Sequence, residues 1–141
     1  MTRLSSEQVP DIALGGNATI TLESANTNRH FTYKITQSKD KEELFFVKLL
    51  HGADNEEDYK YIGCYYRDTH YFHPCKTYQQ IPKRNWPSSL QAVYYLLEHL
   101  YNIPETLYVY HEGKCARCGR KLTTPESILS GFGPECRRSY V

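Results

Sequence analysis

The chain has 141 residues, with 17 basic and 16 acidic side chains and a formal net charge of +1. This length allows one domain with its own core, and the small net charge gives no overall electrostatic footprint of a nucleic-acid-binding protein. No run is apolar for long enough to span a membrane, and the N-terminus lacks the apolar core of a signal peptide. We therefore expect a cytoplasmic protein.

Three regions are predicted along the chain. Residues 1–16 should form a flexible N-terminal arm, residues 17–110 a domain of sheet and helix, and residues 111–141 a C-terminal motif packed on it.

The charge is uneven, since residues 112–141 carry 6 basic and 3 acidic side chains. Such a basic segment can bind phosphate groups or an acidic protein surface.

Short segments of alternating polarity follow one another from Asn17 to His73, as in the strands of a sheet. Turn-forming residues separate them, so we expect an antiparallel meander. The predicted strands are NATITLE (17–23), HFTYKIT (30–36), LFFVKLL (44–50), DYKYIGCYY (58–66), THYFH (69–73) and, later in the chain, TLYVYH (106–111).

The segment NWPSSLQAVYYLLEHLYNIP (85–104) has apolar side chains at helical spacing. Ser88 and Gln91 have the spacing of a capping box, and Pro104 ends the helix. Its apolar stripe should pack on one face of the sheet. We therefore predict an α+β fold, with an antiparallel β-sheet, one main α-helix packed on it and a small C-terminal motif resembling a zinc knuckle or treble clef.

Three of the five cysteines have the spacing of metal ligands. Cys115 and Cys118 form a C-x-x-C knuckle, and Gly119 permits the tight turn that such a knuckle needs. Cys136 follows Gly133 and Pro134 and should lie in the first turn of a short helix, where the helix dipole favours a thiolate. Clustered thiols of this kind are typical of a metal site in a reducing compartment.

His111, four residues before Cys115, is the best candidate for a fourth ligand. Three thiolates and an imidazole suit one structural Zn²⁺ ion. Two alternatives stay open. His111 can lie beside the site, with water or another group as fourth ligand, or Cys115 and Cys118 can form a disulfide or remain free thiols.

The stretch CARCGRKLTTPESILSGFGPEC, residues 115–136, resembles the ending of a family of uncharacterised bacterial and bacteriophage proteins. Members of that family end in C-x-x-C-G-R-x-L-T-x-P-x-S-I-x-x-G-x-G-P-x-C. The preceding HEG and the stretch DNEEDYKYIG (54–63) are also similar to full-length members. The resemblance implies a zinc-bound C-terminal motif and a bacterial or phage source, and it implies no established activity. A phage-encoded protein would lie in the host cytoplasm.

Two further clusters are weaker candidates for a metal site. His70, His73 and Cys75, with Cys64 upstream, lack a recognised ligand spacing and are expected to be ordinary strand and surface groups. The acidic loop from Asp54 to Asp58 lacks the spacing of an EF-hand and should be a solvated hairpin turn.

The chain has 13 tyrosines, a conspicuous surplus. Tyr59, Tyr61 and Tyr65 share strand parity, as do Tyr108 and Tyr110. Aromatic side chains on a sheet face can stack unpaired bases or bind a protein, although most should simply be half-buried with a wet hydroxyl. The candidate partner-binding residues are Lys114, Arg117, Arg120, Lys121, Arg137, Arg138, Tyr59, Tyr61, Tyr108 and Tyr110.

Three functions fit these residues. The first is a non-enzymatic, zinc-stabilised binding protein whose partner is nucleic acid or a protein with an acidic surface. The second is a phage-encoded inhibitor that binds a host defence protein. The third is a zinc hydrolase with an open metal position, in which Glu112 or Glu135 transfers protons. The sequence contains no H-E-x-x-H, no G-x-S-x-G and no deaminase signature, which argues against the third function. We expect the first function.

Overall fold

The computed structural model describes residues 1–52 and 57–136. In these ranges the chain forms one seven-stranded sheet and a few short helices. The strands are β1 (Thr2–Arg3), β2 (Asn17–Ser24), β3 (His30–Gln37), β4 (Leu44–Leu50), β5 (Tyr59–Tyr66), β6 (Tyr71–Pro74) and β7 (Leu107–His111). The helices are α1 (Val9–Ala13), α2 (Lys76–Gln79), α3 (Ser88–Glu98) and α4 (Pro125–Ser130), with a 3₁₀ turn at Lys83–Asn85.

The strand order is β1-β7-β2-β3-β4-β5-β6, and every neighbouring pair is antiparallel. Strands β2 to β6 form the predicted meander. Strand β7, the last in the sequence, lies between β1 and β2, with His111 opposite both Thr2 and Ile20. The predicted α+β fold is confirmed. None of the helices in the described ranges has the length and apolar character needed to cross a bilayer.

One face of the sheet, the inner face, is covered by α3. Alternate side chains of β2 project toward this face, and all three of Ala18, Ile20 and Leu22 are fully buried. The Tyr33 hydroxyl of β3 donates a hydrogen bond to the carbonyl of Ser89 in the first turn of α3. From the helix, the buried side chains are Leu90, Val93, Leu96 and Leu97. Burying each such side chain contributes about 1.5–3 kcal/mol.

The start of α3 differs from the predicted capping box. Pro87 occupies the N-cap position, which makes no side-chain hydrogen bond. The Gln91 amide instead donates to the carbonyl of Trp86 at 2.8 Å, and Ser88 Oγ accepts a hydrogen bond from Arg29 at 3.1 Å. The reason is that the chain before α3 folds back beside the first helical turn and offers its own carbonyls to Gln91.

A β-bulge in β5 changes which side chains reach the opposite, outer face. Val47 of β4 lies opposite Gly63, whereas Lys48 lies opposite Tyr61, so Ile62 is an extra residue. One inserted residue reverses the alternation beyond it. The predicted common face of Tyr59, Tyr61 and Tyr65 is therefore wrong for Tyr65, which is fully buried on the inner face.

Residues 1–16 are part of the folded domain, in contrast to the flexible arm expected from the sequence. Strand β1 pairs with β7, and α1 buries Val9, Ile12 and Ala13 in the core. The Gln8 amide also donates to the carbonyl of Leu129 in α4, at 2.9 Å. A helix of five residues is too short to produce a recognisable period, which is why its apolar spacing gave no signal.

Candidate metal centre and adjoining surfaces

The chain leaves β7 and forms a tight hairpin that carries Cys115 and Cys118. Lys114 and Lys121 form a single antiparallel bridge at its base. The N–H of Cys115 donates to the carbonyl of Arg120, and the N–H of Gly119 donates back to the carbonyl of Cys115, each at 2.8 Å. Gly119 has the predicted positive φ, at 79°. This hairpin is the predicted knuckle, with both cysteines on one turn.

Helix α4 returns the chain to the knuckle. The Thr124 hydroxyl accepts the N–H of Ser127 at 3.3 Å and so caps the helix, and Pro125 occupies the first turn. Gly131 ends α4 with a φ of 78°, and its carbonyl accepts the N–H of Ala116 at 2.9 Å. A second helical turn begins at Pro134 and carries Cys136, as the sequence predicted.

The sulfur atoms of Cys115, Cys118 and Cys136 all lie within 4.8 Å of one another. A tetrahedral ion with metal–sulfur bonds of about 2.3 Å needs sulfur atoms about 3.8 Å apart. All five cysteines of the chain are free thiols, and three mutually close sulfur atoms suit one ion better than a disulfide. This donor set fits a thiophilic ion such as Zn²⁺. Among residues 1–52 and 57–136, it is the one cluster with this geometry.

The environment of Cys115 favours a thiolate. Burial raises the pKa of its thiol, but backbone N–H groups of Gly133, Cys118 and Arg117 point at the sulfur and bring that pKa to about 7. By contrast, burial and the neighbouring thiols of Cys115 and Cys118 raise the pKa of Cys136 to about 11. The three sulfur atoms compete for negative charge, which a divalent cation between them would relieve.

The prediction that His111 is the fourth ligand is not supported by its surroundings. Its Nδ1 accepts the N–H of Gly113 at 3.0 Å, and its Nε2 is hydrogen-bonded to the carbonyl of Ile128. His111 is therefore a neutral imidazole protonated on Nε2, with both nitrogen atoms in use. It is buried and lies outside the group of close ligand atoms. The physical reason is that α4 packs on the end of β7 and takes the ring as its own hydrogen-bond partner.

The structure brings part of the predicted basic surface together. Lys114 and Lys121, at the base of the knuckle, line a depression of about 670 Å³ that also includes Lys34 on the outer face of β3. We call this the knuckle depression; its other members include Met1, Asn17, Thr19 and Glu112. Arg117 instead lines a separate hollow with Lys39 and Arg67, and Arg137 and Arg138 lie outside the described residues.

All four predicted tyrosines lie on the outer face of the sheet, as their pairing partners show. Tyr59 and Tyr61 are opposite Leu50 and Lys48, and Tyr108 and Tyr110 are opposite Glu23 and Thr21. They differ in accessibility. Tyr59 lies beneath the Lys34 ammonium at 4.5 Å, Tyr108 lies beneath the Arg3 guanidinium at 4.1 Å, and Tyr110 donates to Glu23 at 3.3 Å. Tyr61 is the most open of the four, at 43% exposure.

An aromatic cluster at the β5–β6 edge includes the predicted Tyr61, but its other members were not predicted as a surface. Tyr71 is 57% exposed and lies 4.3 Å from the His73 ring, and Tyr66 lies 5.5 Å from the same ring. Phe46 meets Tyr61 edge-on at 6.3 Å. The bulge explains the omission, because it moves Tyr66 to the outer face in place of Tyr65. The members of this aromatic edge are Phe46, Tyr61, Tyr66, Tyr71 and His73.

The residues of the two weaker candidate metal sites do not form a ligand cluster among the residues that the structure describes. His70, His73, Cys64 and Cys75 form no group of close ligand atoms. His73 stacks in the aromatic edge and His70 hydrogen-bonds the Tyr65 hydroxyl at 3.2 Å. The acidic loop from Asp54 to Asp58 lies largely outside the described residues.

Comparison with known proteins reaches only the C-terminal part of the chain. Residues 105–141 match a family described as a family of unknown function (DUF6011). The match begins before β7 and includes the whole cysteine motif, in agreement with the resemblance found over residues 115–136. No curated protein and no solved structure matches the chain.

Proposed function

We propose that this protein is a non-enzymatic binding protein that holds one structural Zn²⁺ ion at its three cysteines and binds single-stranded nucleic acid on the outer face of its sheet. The observation that carries this proposal is the knuckle depression. There, Lys34 of the sheet and Lys114 and Lys121 of the cysteine motif line one surface. The two regions named from the sequence, the basic motif and the tyrosine-bearing sheet, are thus continuous.

The ion would fasten the C-terminal motif to the rest of the domain. The knuckle already docks there, since the carbonyl of Ala116 accepts the N–H of Asn17 at 2.7 Å at the start of β2. A Cβ atom at Gly15 would lie only 2.8 Å from the same carbonyl, so the backbones approach closely. A structural ion contributes its binding free energy to folding, which suits a motif of few apolar residues.

The outer face offers the two kinds of contact that single strands use. Lysines near the knuckle can neutralise phosphates, and the exposed rings of Tyr61 and Tyr71 can stack bases, each worth about 1–3 kcal/mol. The distance across the sheet from β3 to β6 is three strand spacings, about 14 Å. This distance is enough for a few nucleotides laid across the strands. Lys48, exposed beside Tyr61, lies between the two regions.

The test is fluorescence anisotropy of labelled single-stranded DNA and RNA with the zinc-loaded protein. Tyr61→Ala should weaken binding by about tenfold or more, because one stacked base is lost. Tyr95→Ala is the matched control. Tyr95 is 42% exposed, like Tyr61, but belongs to α3 on the other side of the sheet. Equal losses in the two variants would remove the outer face as the binding surface.

Salt separates this function from the inhibitor hypothesis. Binding to phosphates weakens steeply as salt increases, because counterions are released. If no oligonucleotide binds at low salt, the nucleic-acid function fails. A stoichiometric complex with a host protein that tolerates salt would then support the inhibitor, with the aromatic edge as its contact surface.

A zinc hydrolase is a second candidate, favoured by the observation that His111 does not join the cysteines. Of the two proposed proton carriers, Glu135 lines a pocket together with Cys118 and Cys136, whereas Glu112 lies in the knuckle depression. Zinc-loaded protein that hydrolyses p-nitrophenyl acetate, with the activity lost in Glu135→Gln and retained in Glu112→Gln, would support this candidate.

A further inference from the structure

A pocket of about 320 Å³ adjoins the cysteine cluster, and we call it the cysteine pocket. Two of the three clustered cysteines, Cys118 and Cys136, line it, while Cys115 is fully buried behind them. Its volume is at the lower end of the range for small-molecule sites. Arg120, Lys121, Ser127 and Glu135 also line it.

Ser127 marks this pocket as a polar site. It is 2% exposed, and its Oγ is a buried atom with no hydrogen-bond partner. The neighbouring serine does not share this property, since Ser130 Oγ bonds the carbonyls of Ser127 and Phe132. An unsatisfied buried hydroxyl costs about 1–3 kcal/mol, so its retention in a pocket points to a ligand that satisfies it.

The cysteine cluster also supplies one ligand fewer than a tetrahedral ion needs. Three sulfur atoms complete three of the four positions of a tetrahedral ion, and among the described residues no further Cys, His, Asp or Glu atom joins them. Both nitrogen atoms of His111 are engaged elsewhere. One position on a bound ion is thus left for a group that comes from outside these residues.

We propose that the cysteine pocket binds a small carboxylic acid whose carboxylate occupies the fourth position of the metal ion. This inference depends on the proposed zinc site and does not require nucleic-acid binding, although Lys121 lines both the cysteine pocket and the knuckle depression. A carboxylate oxygen is an ordinary zinc ligand. Three thiolates and a divalent ion leave one negative charge, the bound carboxylate adds a second, and Glu135 of the lining is a third. The exposed cations of Arg120 and Lys121 offset two of these charges. The Ser127 hydroxyl donates to the free carboxylate oxygen.

The experiment uses the full chain loaded with Co²⁺ in place of Zn²⁺, because the visible absorption of cobalt reports its coordination. Acetate is the anionic probe and imidazole the neutral one, both at constant ionic strength in sodium perchlorate. We expect acetate to change the spectrum saturably. Arg120→Gln should weaken the binding of acetate by about two- to fivefold, as expected for the loss of one exposed charge. The affinity for imidazole should not change.

Ser127→Ala should weaken the binding of acetate by about tenfold or more, because a hydrogen bond to a charged acceptor is lost. Arg117→Gln is the control, since Arg117 is an exposed cation of the same knuckle that lines a different hollow. Thermal unfolding of each cobalt-loaded variant checks that it is folded.

A cobalt spectrum that does not respond to acetate, or responds equally in Arg120→Gln, Ser127→Ala and Arg117→Gln, would overturn the inference while leaving the structural metal site intact. A chain that takes up no cobalt or zinc would overturn the metal site and the inference together. A protein that binds no oligonucleotide would contradict neither the metal site nor the carboxylate inference.

Discussion

Tyr61 and Tyr65 lie on opposite faces of the sheet, although both belong to β5 and an odd number of residues separates them. The extra residue Ile62 reverses the alternation between them, so Tyr61 is open to solvent and Tyr65 is fully buried. The same bulge brings Tyr66 to the outer face, where it meets His73. The aromatic edge is therefore a product of one inserted residue, and its chemistry depends on that register.

Replacing Cys118 with Ser should abolish tight zinc binding and disorder the C-terminal motif, because only two of the three thiolates remain. Zinc per chain, measured by elemental analysis, and hydrogen exchange of residues 111–136 would show both effects. Cys75→Ser is the control, since Cys75 is a free thiol outside the cluster. A Cys118→Ser protein that keeps one tightly bound zinc would contradict the ligand assignment.

Replacing His111 with Ala should destabilise the protein without removing the metal. The change leaves the N–H of Gly113 and the carbonyl of Ile128 without their partner, at about 1–3 kcal/mol for each unsatisfied group. The measurements are the free energy of unfolding in urea and the zinc content of the folded variant. If the folded variant has lost its zinc, His111 is a ligand after all.

Stability should fall as the pH decreases through the ordinary pKa of histidine. Burial, opposed by the hydrogen bond to Ile128, lowers the pKa of His111 below its usual value; the N-terminal amine lowers it further, while Glu112 raises it. The unfolded chain therefore takes up a proton first, below about pH 6.5, and the free energy of unfolding decreases until the folded protein is protonated too.

This pH effect is measured as a difference between two proteins at equal zinc saturation. The wild type should lose more stability than His111→Gln between about pH 8 and pH 5.5, because glutamine does not titrate. Loss of thiolate ligands at low pH affects both proteins and cancels in the comparison. Parallel pH profiles for the two proteins would show that His111 is not held neutral by its burial.

Alanine at Gly131 should destabilise the protein more than alanine at Gly113. Both glycines have a φ of 78°, so both variants carry the cost of the left-handed conformation, about 1–2 kcal/mol. A Cβ at Gly113 meets no atom within 4 Å, whereas one at Gly131 meets the buried side chain of Ile12 and should cost about 1–3 kcal/mol more. Urea unfolding of both variants gives the difference, and equal losses would mean that Ile12 moves aside freely.

Much of the sheet could be predicted from the sequence because its signals are local. Alternating polarity located the strands of the meander, and the C-x-x-C pair with Cys136 located the thiol cluster. The errors arise where distant parts of the chain meet. His111 has the spacing of a ligand, but the carbonyl of Ile128 engages its Nε2 only once α4 has packed on β7.

The N-terminal segment and the bulge show the same limit. Val9 and Ile12 are buried by elements far along the sequence. A helix of five residues is too short for an apolar period from which this burial could be predicted. The extra residue in β5 is visible only from its pairing with β4. The cysteine pocket likewise depends on tertiary packing, since Ser127 and Arg120 are neighbours only when α4 lies against the knuckle.

The position of β7 sets an order on folding. Strand β2 is made early in synthesis. The strand that pairs with its second edge is β7, which follows the whole meander and α3 in the chain. Until β7 arrives, β2 presents an unpaired edge and β1 has no strand beside it. Such long-range pairing is slow and exposes the chain to aggregation. Cys115 and Cys118 follow β7 directly in the chain, so zinc should affect the folding yield more through this last step than through the meander.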